Sequence, residues 1–470
     1  MDRLLREVKE QILQLVLQDT YIGCAGFIAN VSREWQAIVE PVASKSLHLT
    51  QERLEEALAN GIFTPARQAY VESIELTVKL PRYHVYAHLT SAKERNNKSF
   101  SKAAVDLLGL LSTWPSQSRG LKLSLLLDFI PWEQEKYSNN HEGYYSPKSP
   151  TRFLYEFIGL RDDSYHQLPE VPCVTGFAAG SVNRCNLSFI PKSCCMIASR
   201  FPNLQSIHWE LRDGYQNHFF QTNLRRNFAT GISLLPRSVR KFSLTYDDHG
   251  QGVESPICPL GTQDPLSAAL RNFSKQLECL SLTMIAGTEL FCDPDGGCDE
   301  DCWPLLREVK VALALRTPWG EPIFNFDFSN PNVDLNDAET YRIIPLDEGV
   351  NPYCLAFARA AARMPKLKTM SVQWRTKTKS GMEYTIDPDS SGAQFLSKSS
   401  PGLNITSEIQ EAWWKAALVH VREGAQFHFV VMDDGERFKH RNRWPYNFGS
   451  RLPVHEPEPY NLIEWTRSEV

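Results

Sequence analysis

Apolar residues recur along the chain with two periods that take turns. The first is helical: Ala104, Leu107, Leu108 and Leu111, then Leu266, Ala269, Leu270 and Phe273, then Cys354, Phe357, Ala358 and Ala361 fall at i, i+3, i+4 and i+7, one face of a helix. Phe220, Leu224, Phe228, Ile232 and Leu235 carry such a face over four turns. A stop follows, usually proline (Pro115, Pro202, Pro236, Pro365), which lacks the amide donor a helix needs. The second period is two. It predicts strands with a shared L-x-x-L-x-L spacing: Val71, Ile74, Leu76; Leu204, Ile207, Trp209; Val239, Phe242, Leu244; Leu277, Leu280, Leu282; Leu306, Val309, Val311; and Leu367, Met370, Val372.

A lone helix and strand cannot bury their apolar faces, whereas stacked neighbours can. The pattern therefore predicts an α/β fold, an irregular leucine-rich-repeat-like solenoid of helix plus parallel strand units. Separate βα units in a compact α/β domain are the alternative. From Leu204 on, the first residues of successive matches lie 35, 38, 29 and 61 apart instead of about 20 to 29, so long rim loops are expected. Pro, Gly, Ser, Asp and Asn place them at 128–150, 246–265, 286–301, 316–350 and 376–405. Ser407 to Glu423 then reads as a terminal capping helix with Ile409, Trp413, Ala416 and Ala417 on one face, followed by a strand from Phe427 to Val431.

Strand parity sends alternate residues to opposite faces. Opposite the apolar positions stand His208 and Glu210, Ser243 and Thr245, Ser281 and Thr283, Lys310, then Ser371 and Gln373. Nearly all are polar, so they are expected to form a partner-binding face suited to a peptide or protein with hydrogen-bonding groups.

Charge and cysteine content narrow the partners. With 50 basic and 55 acidic residues the net charge is -5, and no whole-molecule field favours nucleic acid or anionic lipid. Charges interrupt every apolar run between Met1 and Gln18, which predicts neither an export signal nor a membrane anchor. The 11 scattered cysteines, with Cys194 and Cys195 adjacent, fit reduced core thiols of the cytoplasm or nucleus.

The N-terminal stretch has an order of its own. Leu5, Val8, Ile12, Leu15 and Val16 form one helical stripe, and Leu4-Leu5-Arg6-Glu7-Val8, Ile12-Leu13, Val31-Ser32-Arg33-Glu34-Trp35 and Leu47-His48-Leu49-Thr50 follow in sequence. This order resembles an F-box. The chain is also similar to a group of filamentous-fungal F-box-domain proteins, through VSREW at 31–35, LPEVPCVTG at 168–176, FPNLQSIHW at 201–209 and LLPRSVRKFSL at 234–244. Leu5 stands where the family usually has proline, which removes a preorganised helix entry and leaves the apolar face.

The resemblance implies a helical module at 1–50, a repeat region at 51–445 and a tail at 446–470. It implies that Leu5, Val8, Ile12, Leu13, Val31 and Trp35 dock a Skp-family adaptor of a cullin ubiquitin ligase by apolar anchors at helical spacing. The repeat region would then hold a protein substrate, with no catalysis and no cofactor. A repeat scaffold without the ligase link and an unrecognised enzyme are the competing readings.

Chemical motifs are sparse. No phosphate-loop, dinucleotide, HExxH or GxSxG pattern occurs. Cys292, Cys298 and Cys302 sit among Asp293, Asp295, Asp299, Glu300 and Asp301, but without paired CxxC spacing they read as a solvated acidic loop and not a metal site. The run Arg437 to Trp444 mixes cations with aromatics, as phosphate-binding surfaces do, and reads first as a solvated hairpin face.

Overall fold

In the computed structural model, helices and strands take turns along most of the chain, as the two periods require. Residues 8, 11, 32–80, 89–116, 120–128, 156–181, 187–212, 218–247, 256–292, 303–326, 342–376, 380–386, 392–399, 402–421 and 427–433 are described. Contacts divide the chain into two units, Met1–Arg212 with Leu234–Val239, and Asp213–Ser233 with Arg240–Val470.

The first unit runs α1 (Arg33–Ala43), β1 (Ser46–Thr50), α2 (Gln51–Ala59), α3 (Pro65–Gln68), β2 (Ser73–Lys79), α4 (Leu89–Ser112), β3 (Leu121–Asp128), β4 (Glu156–Ile158), α5 (Asp162–Tyr165), β5 (Val174–Ser181), β6 (Leu187–Phe189), α6 (Pro191–Ala198) and β7 (Ser206–Arg212). Strands β1, β2, β3, β5 and β7 lie side by side in that order, all parallel. Their register stacks Leu47, Ile74, Leu123, Phe177 and Ile207 in one row and Leu49, Leu76, Leu125, Ala179 and Trp209 in the next. All but the half-buried Leu47 are buried, and each large side chain so buried contributes about 1.5–3 kcal/mol. Gly120 enters β3 at φ +69, and a Cβ there would lie 2.1 Å from Thr175 Oγ1, so only glycine fits the turn.

The second unit runs α7 (His218–Ile232), β8 (Lys241–Asp247), α8 (Pro265–Ser274), β9 (Cys279–Met284), β10 (Glu308–Leu313), β11 (Phe324–Phe326), β12 (Arg342–Pro345), α9 (Asp347–Ala361), β13 (Thr369–Trp374), β14 (Gly381–Ile386), β15 (Ala393–Ser399), α10 (Ser407–His420) and β16 (Phe427–Asp433). Strands β8, β9, β10 and β13 are parallel neighbours. Then β14 reverses, β15 reverses again, and β16 joins β15 in parallel. Phe242, Leu280, Val309, Met370, Tyr384, Phe395 and Phe429 share one row.

Helices pack on that apolar side: Phe242 meets Phe273 of α8 at 5.2 Å between ring centroids, and Tyr384 and Phe395 meet Trp413 of α10 at 5.2 and 4.8 Å. Polar residues cap the helix starts, with Asp264 accepting from the Leu266 and Ser267 amides and Thr406 from Ile409.

The α/β class and the mostly parallel strand pairing agree with the sequence pattern. Two expected loops are corrected. The segment 316–350 holds the antiparallel pair β11 and β12 and the start of α9. The segment 376–405 holds β14 and β15. Strand β15 turns Ser397 and Ser399 inward, both fully buried, and Ser399 donates to Ser380 at 2.9 Å, so its inner face carries too few apolar residues to register as a strand.

Candidate functional site

The side of the second unit's sheet that turns away from the helices is polar. Reading across β8, β9, β10, β13 and β14, one row is Ser243, Ser281, Lys310, Ser371 and Glu383; the next is Thr245, Thr283, Ala312, Gln373 and Gly381. Every residue of these rows except Gly381 is half-buried or exposed. The alternating neighbours Leu244, Leu282, Val311 and Val372 are at most 2 % exposed. At about 4.8 Å between strands the rows span about 19 Å. They offer hydroxyls that both donate and accept, around one ammonium at Lys310 and one carboxylate at Glu383. Cys279 lies at the lower edge. Burial first, then the Glu308 charge, pushes its thiol above the ordinary value, so it is not a ready nucleophile.

His208 and Glu210 belong to the first unit, on the corresponding face of β7. His208 Nε2 lies 3.6 Å from Glu210 Oε1, and the hydrogen bond from His208 holds the Glu210 carboxyl below its ordinary value. On the same side His48 and Glu75 pair at 3.1 Å across β1 and β2. The expected partner-binding residues therefore divide between the units, two in the first and seven in the second.

Of the residues expected to dock an adaptor, Val8 is helical and 37 % exposed. Trp35 is half-buried in the first turn of α1, its amide donating to Ser32 Oγ at 3.2 Å. Leu5, Ile12, Leu13 and Val31 lie outside the described residues, as do Cys298, Cys302 and the basic run 437–444. Among the described residues no three His, Cys, Asp or Glu side chains converge as metal ligands, and no helix is long and apolar enough to cross a membrane. The described cysteines are free thiols, most of them buried.

One buried polar network escaped the sequence reading. It sits beyond the C-terminal ends of β9 and β10 and joins three segments. Arg225 of α7 donates to Asp264 Oδ2 at 2.8 Å and to the Ile285 carbonyl at 3.0 Å. Asp264 also accepts from the Ser267 amide and hydroxyl and from Cys258 Sγ. Burial pushes the Asp264 carboxyl up, but the Arg225 charge and the Ser267 bonds outweigh it and hold it below the usual range.

Glu289, in a single 3-10 turn (Thr288–Leu290), accepts the Asp264 amide at 3.3 Å through Oε1, while its buried Oε2 has no partner. Burial holds this carboxyl above its usual value. A Cβ on Gly287 would lie 2.0 Å from Oε2, so glycine makes room for it. With its acceptors saturated, Asp264 ties α7, α8 and the turn after β9 together and presents no free base. The Asp264-Pro265 pair is a readable helix start; that Arg225, next to Leu224 of the α7 stripe, is buried is not.

A second clasp holds α10: Tyr384 Oη lies 3.0 Å from His420 Nδ1, and His420 Nε2 lies 2.9 Å from the Met364 carbonyl. The carbonyl requires a proton on Nε2, so Nδ1 accepts from the tyrosine.

Residues 349–442, from α9 through β16 and nine residues past it, match the model of DUF6546, a family of unknown function. No curated protein and no solved structure matches the chain.

Proposed function

We propose that this is a non-catalytic protein-binding protein built as an irregular leucine-rich-repeat-like solenoid. Its open polar sheet face holds a protein or peptide partner, and its N-terminal stretch joins that partner to a Skp-family adaptor of a cullin ubiquitin ligase. The observation that carries the binding role is the parity of β8, β9, β10 and β13: one side is fully packed, and the other keeps rows of half-exposed Ser and Thr around Lys310. A small apolar ligand needs a mostly hydrophobic pocket, which these rows are not. Parallel strands stacked in register with helices on one side support the solenoid part, since such arrays bind on the exposed sheet face.

The ligase link rests on the N-terminal resemblance and on the exposed, helical Val8. A repeat scaffold of the same architecture without that link is the second reading. Affinity purification of the full chain beside Val8→Asp with Ile12→Asp tests it, because carboxylates in an apolar contact are costly to desolvate. The wild type is expected to bring down a Skp-family protein that the variant loses, while both retain the partner of the sheet face. A wild type that never recovers such an adaptor rejects the ligase link in favour of the scaffold.

A further inference from the structure

Strand β9 runs into a tight, buried corner. The Gly287 amide donates to Ser267 Oγ at 3.0 Å, and Tyr353 Oη donates to the Ala286 carbonyl at 2.7 Å. The 3-10 turn Thr288–Leu290 then closes on itself, the Leu290 amide donating to the Gly287 carbonyl and the Phe291 and Cys292 amides to the Thr288 carbonyl. Leu290 and Phe291 are at most 2 % exposed, and the Phe291 ring lies 4.9 Å from that of Phe357 on α9.

Glu289, in the middle of this turn, is itself buried. Its Oε1 accepts the Asp264 amide, while Oε2 folds back over Gly287 and has no hydrogen-bond partner among the described residues. A neutral carboxyl tolerates that place better than a carboxylate, whose bare oxygen would stay desolvated. The surroundings supply no paired counter-ion to offset this. Arg225 of α7 is bonded to Asp264, and the Asp264 charge opposes a second one beside it. Arg271 of α8 favours ionisation, but burial is the larger influence. Burial also keeps the protons on Cys258 and on Tyr353 of α9, and Glu321 near that tyrosine adds only negative charge.

We propose that Glu289 is a pH-sensitive latch: with its proton in place the turn after β9 stays shut, and loss of that proton to water accompanies the opening of residues 287–292. Opening gives both carboxylate oxygens water and releases the Asp264 amide, which loosens the start of α8. The latch does not depend on the sheet face having a partner. An exposed glutamate loses its proton near pH 4.3 or so, about its ordinary value, whereas the shut turn holds the proton to higher pH. Between those two values each pH unit multiplies the open fraction by about ten, and above the higher one the fraction levels off.

Hydrogen exchange of the full chain, read by mass spectrometry and divided by the intrinsic exchange rate at each pH, tests the latch. Protection of the stretch 288–292 is expected to fall by about tenfold or more from about pH 4.5 to pH 7 in the wild type, while the β9 stretch 279–284 keeps its protection. Glu289→Gln keeps the acceptor for the Asp264 amide and has no proton to lose, so its turn is expected to show constant protection over the same range. Wild-type protection at 288–292 that does not change with pH overturns the inference. So does a fall that Glu289→Gln reproduces, which assigns the titration to another group, or one that 279–284 shares in step, which assigns it to unfolding of the whole unit.

Discussion

Asp264 and Glu289 are bonded neighbours whose acidities move in opposite directions, and the difference lies in what each carboxyl receives. Asp264 has the Arg225 charge and the Ser267 hydroxyl and amide; Glu289 has backbone amides and one bare oxygen. Replacing Arg225 with Met leaves the Asp264 charge buried without its counter-ion and is expected to cost about 3–5 kcal/mol, read from denaturant unfolding.

For Glu289 the folded-state pKa lies above the unfolded one, so its contribution is fully present below the unfolded carboxylate range and is lost as pH rises through the folded value. Glu289→Gln keeps the acceptor for the Asp264 amide and cannot ionise. Relative to wild type, the variant is expected to gain stability as pH rises above the unfolded carboxylate value of about 4.3; a constant difference would show that the fold does not raise the Glu289 pKa.

His420 has the opposite sign of effect. Burial lowers its affinity for a proton, so the full contribution of the α10 clasp is present above about pH 6.5 and declines as the unfolded state binds protons below it. His420→Gln is expected to flatten that acid limb in a denaturant series from pH 7 to pH 5.

At the scale of elements, the strands that the sequence revealed are those with large apolar residues on one parity: β2, β7, β8, β9, β10, β13 and β16. Two that it hid, β5 and β15, carry small or polar residues where the others carry large apolar ones, whereas β3 buries Leu121, Leu123, Leu125 and Leu127 and lacked only the shared spacing. In β5, Ala179 is the small inward residue, and on the other parity Gly176 is overlain by Ser206 Oγ and Lys122 Cγ, 3.1 and 3.3 Å from where a Cβ would sit, so a strand with small residues on both faces looks like a loop. β15 was hidden by its inward serines. The open face was legible for the same reason the strands were, because parity assigns both sides at once. The Arg225 network was not, since its members come from α7, the α8 start and the turn after β9, and only the fold brings them together.

Trp413 is the element-scale test of the C-terminal end. It covers Tyr384 and Phe395, so a chain ending at residue 400 loses both α10 and β16 and bares the apolar side of β14 and β15. Such a truncation is expected to aggregate on size-exclusion chromatography; a soluble, cooperatively unfolding product would mean that α10 is dispensable to the second unit.

Across the molecule, each unit buries one side of its parallel strands and keeps the other side polar. In the second unit that division has a direct consequence, because large charged side chains on the polar rows meet solvent and any bound partner but no core. The decisive measurement is made on Ser243→Arg with Ser281→Arg, recording unfolding free energy and partner recovery on the same preparation. Exposed substitutions shift stability by about 0.5 kcal/mol or less, so the account predicts near wild-type unfolding together with loss of the partner. A loss of several kcal/mol would show the face to be buried, and full retention of the partner would place binding elsewhere; either result contradicts the proposed binding face.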